Sequence, residues 1–223
     1  ACKVFPHETE ETAVARLWTE ILRAVRVSEE SDPVAAWKEH VSALQKTADF
    51  LNEHDFLELH YRNGLGTDLH VELPKGHIWM GGAERAASGT MFVANIPTEE
   101  VYTLPKRDGV NGVVVASKPL HYNGNLIAGF SLTFRAGKVT DYHAESGEEH
   151  LRELLQTDEG ASFLGEVALV PHASPISASG ILFYNTLFDE NASCHLALGK
   201  AYPTCIRGGD GMTEEELLRH GVN

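Results

Sequence analysis

The chain has 223 residues, 43% of them hydrophobic, which is enough for one large domain or two small ones with a real core. Its 32 acidic against 18 basic side chains leave a formal net charge of -14, and the basic residues occur as singles and pairs (Lys106-Arg107, Arg207), so no nucleic-acid partner is expected. No run approaches the roughly 20 apolar residues of a membrane helix, and no membrane partner is expected either.

In chain order, the spacing of Val14, Leu17, Ile21, Leu22 and Val25 predicts an amphipathic helix over 9–26, with Thr9 as cap and Glu10 and Glu11 in its first turn. Asp32-Pro33 opens a second helix, proline taking the tolerated first position, that runs to about Asn52 with Val34, Trp37, Val41, Leu44, Thr47, Ala48 and Leu51 along one side. The short connection makes the two an antiparallel pair. After His54-Asp55 the period changes. FLELHY and TDLHVELP alternate on either side of NGLG, a β-hairpin, and GHIWMGG is a short apolar strand. Residues 83–97 read as a surface loop. From Gly109 to His143 the pattern is a β-meander with turns at Tyr122-Asn123-Gly124 and Arg135-Ala136-Gly137. Ser146 then caps a helix to about Leu155, with Glu149 completing a capping box, and residues 165–170 and 181–184 return to strand. Helices first and strands after give an α+β fold: an N-terminal helical pair, then a largely antiparallel β-rich part with interspersed helices. The expected organisation is one domain over 1–223, a helical hairpin at 1–54 packed on 55–223.

Cys2, Cys194 and Cys205 form no Cys-x-x-Cys pair, which fits a reducing compartment. The start has neither the charged opening nor the apolar core of a signal peptide, so the expected location is cytoplasmic. Both ends read as cuts in a longer polypeptide.

The densest chemistry lies in NTLFDENASCHLALGKAY, residues 185–202. Asp189, Glu190, His195 and Tyr202 offer oxygen or imidazole donors of the kind zinc, cobalt and manganese accept. Glu99-Glu100 in PTEE and Glu166 in GEVALVP lie upstream. Taken singly, Glu99-Glu100 is a solvated acidic turn and His195 a hydrogen-bonded core histidine. Glu166 interrupts a strand expected to be buried, where a carboxylate is costly unless paired or metal-bound. Two turns of helix would place His195 and Tyr202 on one face. Two rival sets, His70 and Glu72 with His77, and His143 with Glu145, follow the polar alternation of exposed strands and read as solvated. Cys194 and Cys205 flank His195 without completing a structural zinc site, and NGLG lacks the surroundings of a phosphate loop.

The segments GTDLHVELP, HIWMGG, NIPTEEVYTLP, LHYNGNLI, TDEGASFLGEVALVP, SPIS, ILFYNTLFDENASCHLALGKAYP and the final GVN closely resemble the aminopeptidase T/aminopeptidase S family of metal-dependent aminopeptidases. The resemblance covers essentially the whole chain and implies the catalytic half of such an enzyme. It implies two divalent ions (zinc, cobalt or magnesium), peptide substrates with a free N-terminus, and a homodimer. Position by position, it implies Glu100 as the first metal ligand, Glu166 as the bridging ligand, and His195 and Tyr202 as this chain's further ligands. Glu190 is a weaker candidate for ligand or general base, and Tyr202 could also stabilise an oxyanion. Relatives carry a His-x-Asp pair a few residues beyond GVN, past Asn223, and an N-terminal domain that walls the cavity. An alternative expectation follows: a fragment that folds and self-associates but holds an incomplete site.

Overall fold

The computed structural model describes residues 1–223. In order the elements are α1 (Glu10–Ala24), α2 (Pro33–His54), β1 (Glu58–Arg62), β2 (Asp68–Glu72), β3 (Met80–Gly81), β4 (Glu84–Arg85), β5 (Met91–Phe92) and β6 (Val101–Thr103). There follow β7 (Val110–Val115), β8 (Leu120–Tyr122), β9 (Asn125–Arg135), β10 (Lys138–Ser146), α3 (Glu148–Leu155) and β11 (Leu164–Leu169). The chain closes with α4 (Pro175–Ser179), α5 (Thr186–Glu190), β12 (His195–Leu198) and α6 (Glu214–Arg219). The class is α+β, two N-terminal helices followed by antiparallel sheets, as expected. No helix is long and apolar enough to cross a membrane. The chain divides into two compact units, one of residues 1–49, 81–101 and 169–195, the other of residues 50–80, 102–168 and 196–223.

In the first unit, the Thr9 hydroxyl accepts the amide of Thr12 and caps α1, and Pro33 opens α2 with its missing amide in the first turn. The apolar stripe of α1 is only partly covered: Ala13 and Ala24 are buried, whereas Val14, Trp18 and Leu22 are exposed. Ala24 packs with Ile176 of α4, Ala192, Phe183 and Phe188. Trp37 donates its indole N–H to the Val25 carbonyl at 2.8 Å, tying α2 to the end of α1. Two expectations change here. Residues 83–97 contain the short antiparallel ladder β4–β5. Residues 181–184 form no strand, because the Asp189 carboxylate accepts the amides of Phe183 and Asn185 while Asn185 caps α5. Such side-chain acceptors offer the backbone an alternative to a ladder, which a short apolar run does not reveal.

The second unit holds an antiparallel sheet of order β1-β2-β7-β9-β10, with β8 paired to β9. Asn63 sets the β1–β2 turn, its side-chain oxygen accepting the amides of Leu65 and Thr67. Two hairpins close on two-residue turns with positive φ at both positions: Asn123 (φ 47) and Gly124 (φ 84), then Ala136 (φ 46) and Gly137 (φ 81). The expected cap of α3 is not Ser146, which stays in β10 opposite Ala128. Gly147 precedes the helix without a side-chain cap, and Glu148 rather than Glu149 reaches back, accepting the Ala144 amide at 2.9 Å. A second cluster packs Leu104, Ala201, Cys205, Ile206, Leu217 and Val222. The remaining sheet runs β12-β11-β6-β3.

The two turn glycines make a paired prediction. A Cβ at Gly137 would lie 1.6 Å from the Arg107 carbonyl oxygen, whereas one at Gly124 meets nothing within 4 Å. Gly124→Ala should therefore cost only its backbone strain, about 1 kcal/mol, and Gly137→Ala at least about 3 kcal/mol, since the strand connection must also move. Calorimetric melting of both variants checks this; equal losses would contradict it.

Candidate metal centre

The segment before β6 is built around one buried carboxylate. Glu99 is 2% exposed. Its two oxygens face the Arg26 guanidinium, Nη2 to Oε2 at 2.8 Å and Nη1 to Oε1. Its amide donates to Oδ1 of Asn191 at 2.6 Å. His40 completes the group: Nε2 lies 2.6 Å from the Thr98 carbonyl oxygen and Nδ1 lies 3.0 Å from Arg26 Nη2. A carbonyl only accepts and a guanidinium only donates, so His40 carries its proton on Nε2 and is neutral. Burial holds His40 below the usual histidine value; the Thr98 bond and Glu99 oppose that, and Arg26 adds to it. Glu99, the first of the two acids in PTEE, is thus a structural anchor. A Cβ on Gly81 of β3 would come within 2.8 Å of Val101 Cγ1 and 3.1 Å of the Glu100 carbonyl oxygen, so the close approach of β3 here requires glycine.

Glu100 points elsewhere. Its Oε2 lies 2.7 Å from Nε2 of His195, with 12% and 14% of the two side chains exposed. His195 opens β12 directly after the α5 turn, and its Nδ1 lies 3.1 Å from the Ser193 carbonyl oxygen. That oxygen requires an N–H at Nδ1, so the neutral ring turns the Nε2 lone pair toward the carboxylate. Two electron-rich atoms at this separation in a largely buried place need a positive centre between them, a proton or a metal ion. Burial alone would lower His195, but the Glu100 contact outweighs it and raises the group to about 9. Glu190, at the end of α5, is half-buried and carries the field of both. Burial raises its carboxyl, His195 lowers it and Glu100 raises it again, leaving it above the ordinary carboxylate value. One imidazole and two carboxylates are a donor set suited to a borderline divalent ion.

The first unit therefore gathers Glu100, Glu190 and His195 of the residues singled out in sequence. Glu166 belongs to the second unit, a half-buried acid in β11 between Gly165 and Val167, both buried. Tyr202 also belongs there, and no helix joins it to His195: β12 ends at Leu198 and Tyr202 leads into a 3-10 turn at Pro203–Cys205. Its side chain is 60% exposed, with its ring edge-on to Tyr102 at 6.2 Å. Asp189 is occupied with backbone amides. The sulfur of Cys194 lies 3.5 Å from the Val170 amide nitrogen. The members of the two rival sets have other partners, and His77 is buried rather than solvated. Glu72 pairs with Lys106 at 2.9 Å, His77 is buried with Nδ1 3.1 Å from the Pro74 carbonyl oxygen, and His143 pairs with Glu148 rather than Glu145. Arg26, His40 and Asn191 carry no sequence signal for their roles; they become legible only once α2 and the PTEE segment are seen together.

The chain is similar to known proteins along its whole length. Aminopeptidase AmpS of Bacillus subtilis is 55% identical over 223 residues, all of this chain and 54% of that protein. Aminopeptidase T of Thermus aquaticus is 50% identical over 220 residues, 99% of this chain and 53% of that protein. The solved structure of wild-type AmpT from Thermus thermophilus superposes with a TM-score of 0.90 at 46% identity, covering 99% of this chain and 52% of that one. The chain thus spans about half the length of the curated relatives it matches. The family model described as thermophilic metalloprotease (M29) matches residues 1–223, and the chain belongs to that family.

Proposed function

We propose that this chain supplies the metal-holding catalytic part of an aminopeptidase, which removes the N-terminal residue of a peptide by hydrolysis. The observation that carries this reading is the 2.7 Å approach of Glu100 Oε2 to His195 Nε2, with Glu190 beside them, in a member of a metalloprotease family. The relatives named aminopeptidase supply the reaction class. Glu100 and His195 would hold one divalent ion. Glu166, a half-buried acid of β11, would be the bridging ligand that the resemblance implies. With Tyr202 as a further ligand, the set serves the two ions (zinc, cobalt or magnesium) that the resemblance implies. A divalent cation there supplies Lewis acidity to a water nucleophile and to the carbonyl it attacks.

The remaining work falls to the chain. Glu190, held above the ordinary carboxylate value, takes a proton from the attacking water and returns it to the leaving amine. The Tyr202 hydroxyl donates a hydrogen bond to the developing oxyanion. The excess of carboxylates favours a substrate whose α-amine is protonated and free. Cys2, Cys194 and Cys205 form no Cys-x-x-Cys pair, which suits a cytoplasmic enzyme, and the resemblance adds a homodimer, which sedimentation equilibrium tests.

The deciding experiment compares an unblocked peptide with its N-acetylated counterpart before and after metal stripping. Cleavage of the unblocked peptide alone, lost on stripping and restored by cobalt, is the expected result. Equal cleavage of the acetylated peptide would overturn the exopeptidase assignment. Failure to take up any metal would favour a self-associating scaffold. Tyr202→Phe should lower kcat by about 10²-fold with little change in KM, as expected for a donor used in the transition state.

A further inference from the structure

The outward face of the β1–β2 hairpin carries a second gathering of metal donors. His60 and His70 are directly opposite each other across the ladder, and Asp68 lies two residues before His70 on the same face. The two imidazoles stack at 3.9 Å between centroids and 20° between planes. Asp68 Oδ1 lies 2.6 Å from His60 Nε2 and 4.0 Å from His70 Nε2, and one ligand atom from each of the three residues falls within 4.8 Å of the others.

The orientation of His70 favours ligation over simple ion pairing. Its Nδ1 lies 2.6 Å from Glu58 Oε1, so this nitrogen donates to the carboxylate and the other, Nε2, turns its lone pair toward Asp68. That is the carboxylate–histidine arrangement by which proteins fix a metal-binding tautomer. Donors bound to zinc at about 2.0–2.1 Å in a tetrahedron stand roughly 3.3 Å apart. The separations of 2.6 and 4.0 Å bracket this value, so small side-chain rotations suffice. The face is also held in place from behind. Leu69 and Val71 alternate with Asp68, His70 and Glu72 along β2 and are fully buried, so the outward side chains cannot leave without breaking the register. Asn111, opposite His70 on β7, is already used, accepting the Ala136 amide.

We propose that His60, Asp68 and His70 form a separate, exposed site for a borderline divalent cation of the zinc, nickel and copper class. Two imidazoles and one carboxylate select such ions over magnesium or calcium, and three donors on one side of the ion leave a position open to water. The inference does not rest on the role proposed for Glu100 and His195.

The test is calorimetric titration of the metal-stripped protein with Zn²⁺, using two complementary variants. His60→Gln/His70→Gln, both exposed, should keep its circular dichroism spectrum and lose one zinc equivalent relative to the parent. Glu100→Gln/His195→Gln, with the hairpin intact, should still bind zinc, and this binding should weaken as pH falls because ligation requires neutral imidazoles. With Cu²⁺ as probe, spin resonance should show couplings from two nitrogens in the second variant. Undiminished stoichiometry in a folded His60→Gln/His70→Gln protein overturns the proposal. So does absence of zinc binding in Glu100→Gln/His195→Gln, which keeps the test decisive even if the first variant fails to fold.

Discussion

Glu100→Gln is expected to lower metal affinity and peptide hydrolysis together by at least about 10²-fold. Removing an outer partner of a metal ligand costs 10- to 100-fold, so loss of a direct ligand belongs at or beyond the upper end. Glutamine keeps the shape but removes the charge, and its amide nitrogen has no lone pair to offer. The fold should survive, because the side-chain amide can donate to His195 Nε2 across the gap the carboxylate now spans at 2.7 Å. A second readout separates a ligand from a merely structural acid. In metal-stripped protein, His195 is raised from 6.5 to about 9 by Glu100 against the opposing effect of burial. A histidine whose folded-state value is raised stabilises the fold fully below its unfolded value, and that contribution is lost as pH rises through the folded one. Stripped wild-type protein should therefore lose stability between about pH 6.5 and 9, and stripped Glu100→Gln should show no such decline. Denaturant titrations across that window, with metal content measured on the same samples, check both halves. Unchanged metal affinity in the variant would remove Glu100 from the site.

How far the sequence reaches can be judged at these residues. Helices α1 and α2 and the turns at Asn123-Gly124 and Ala136-Gly137 follow from apolar spacing and turn residues, which are local properties. Residue type and order single out Glu100 and His195 as candidates, and family resemblance supplies their roles. Residue type alone does not separate Glu99 from Glu100; the resemblance picks Glu100, and the physical reason lies in the fold. Adjacent positions point to different surroundings, and the partner that claims Glu99 is Arg26, 73 residues earlier. Register hides in the same way. In sequence His70 is grouped with Glu72 and His77, whereas cross-strand pairing puts it beside His60 and Asp68. The segment between His195 and Tyr202 fails for a different reason: a short apolar run is compatible with helix and strand alike, and the ladder decides for strand.

The largest stability loss is expected at Arg26. Its guanidinium and the Glu99 carboxylate keep 17% and 3% of their side-chain surface exposed. Arg26→Ala would leave a buried carboxylate facing only a neutral His40, and breaking a buried pair from one side costs about 3–5 kcal/mol. For a protein of this size that lowers Tm by roughly 10 °C or more. Glu99→Gln should cost less, because a neutral amide needs no counter-charge, and the double variant Arg26→Ala/Glu99→Gln should lose little beyond Glu99→Gln alone. Such a cycle distinguishes a coupled pair from two independent contributions, which would simply add. The sign with pH is fixed too. Arg26 is one of the groups that hold His40 down, so without it His40 takes up a proton more readily beside the Glu99 carboxylate and the deficit shrinks as pH falls. The effect should also reach the metal. Glu99 and Asn191 together fix the backbone one residue before Glu100 and four residues before His195, so Arg26→Ala should weaken metal binding without touching an ion. Rescue of metal affinity by Arg26→Lys, which restores the charge, would show that the buried pair acts by holding Glu100 in place.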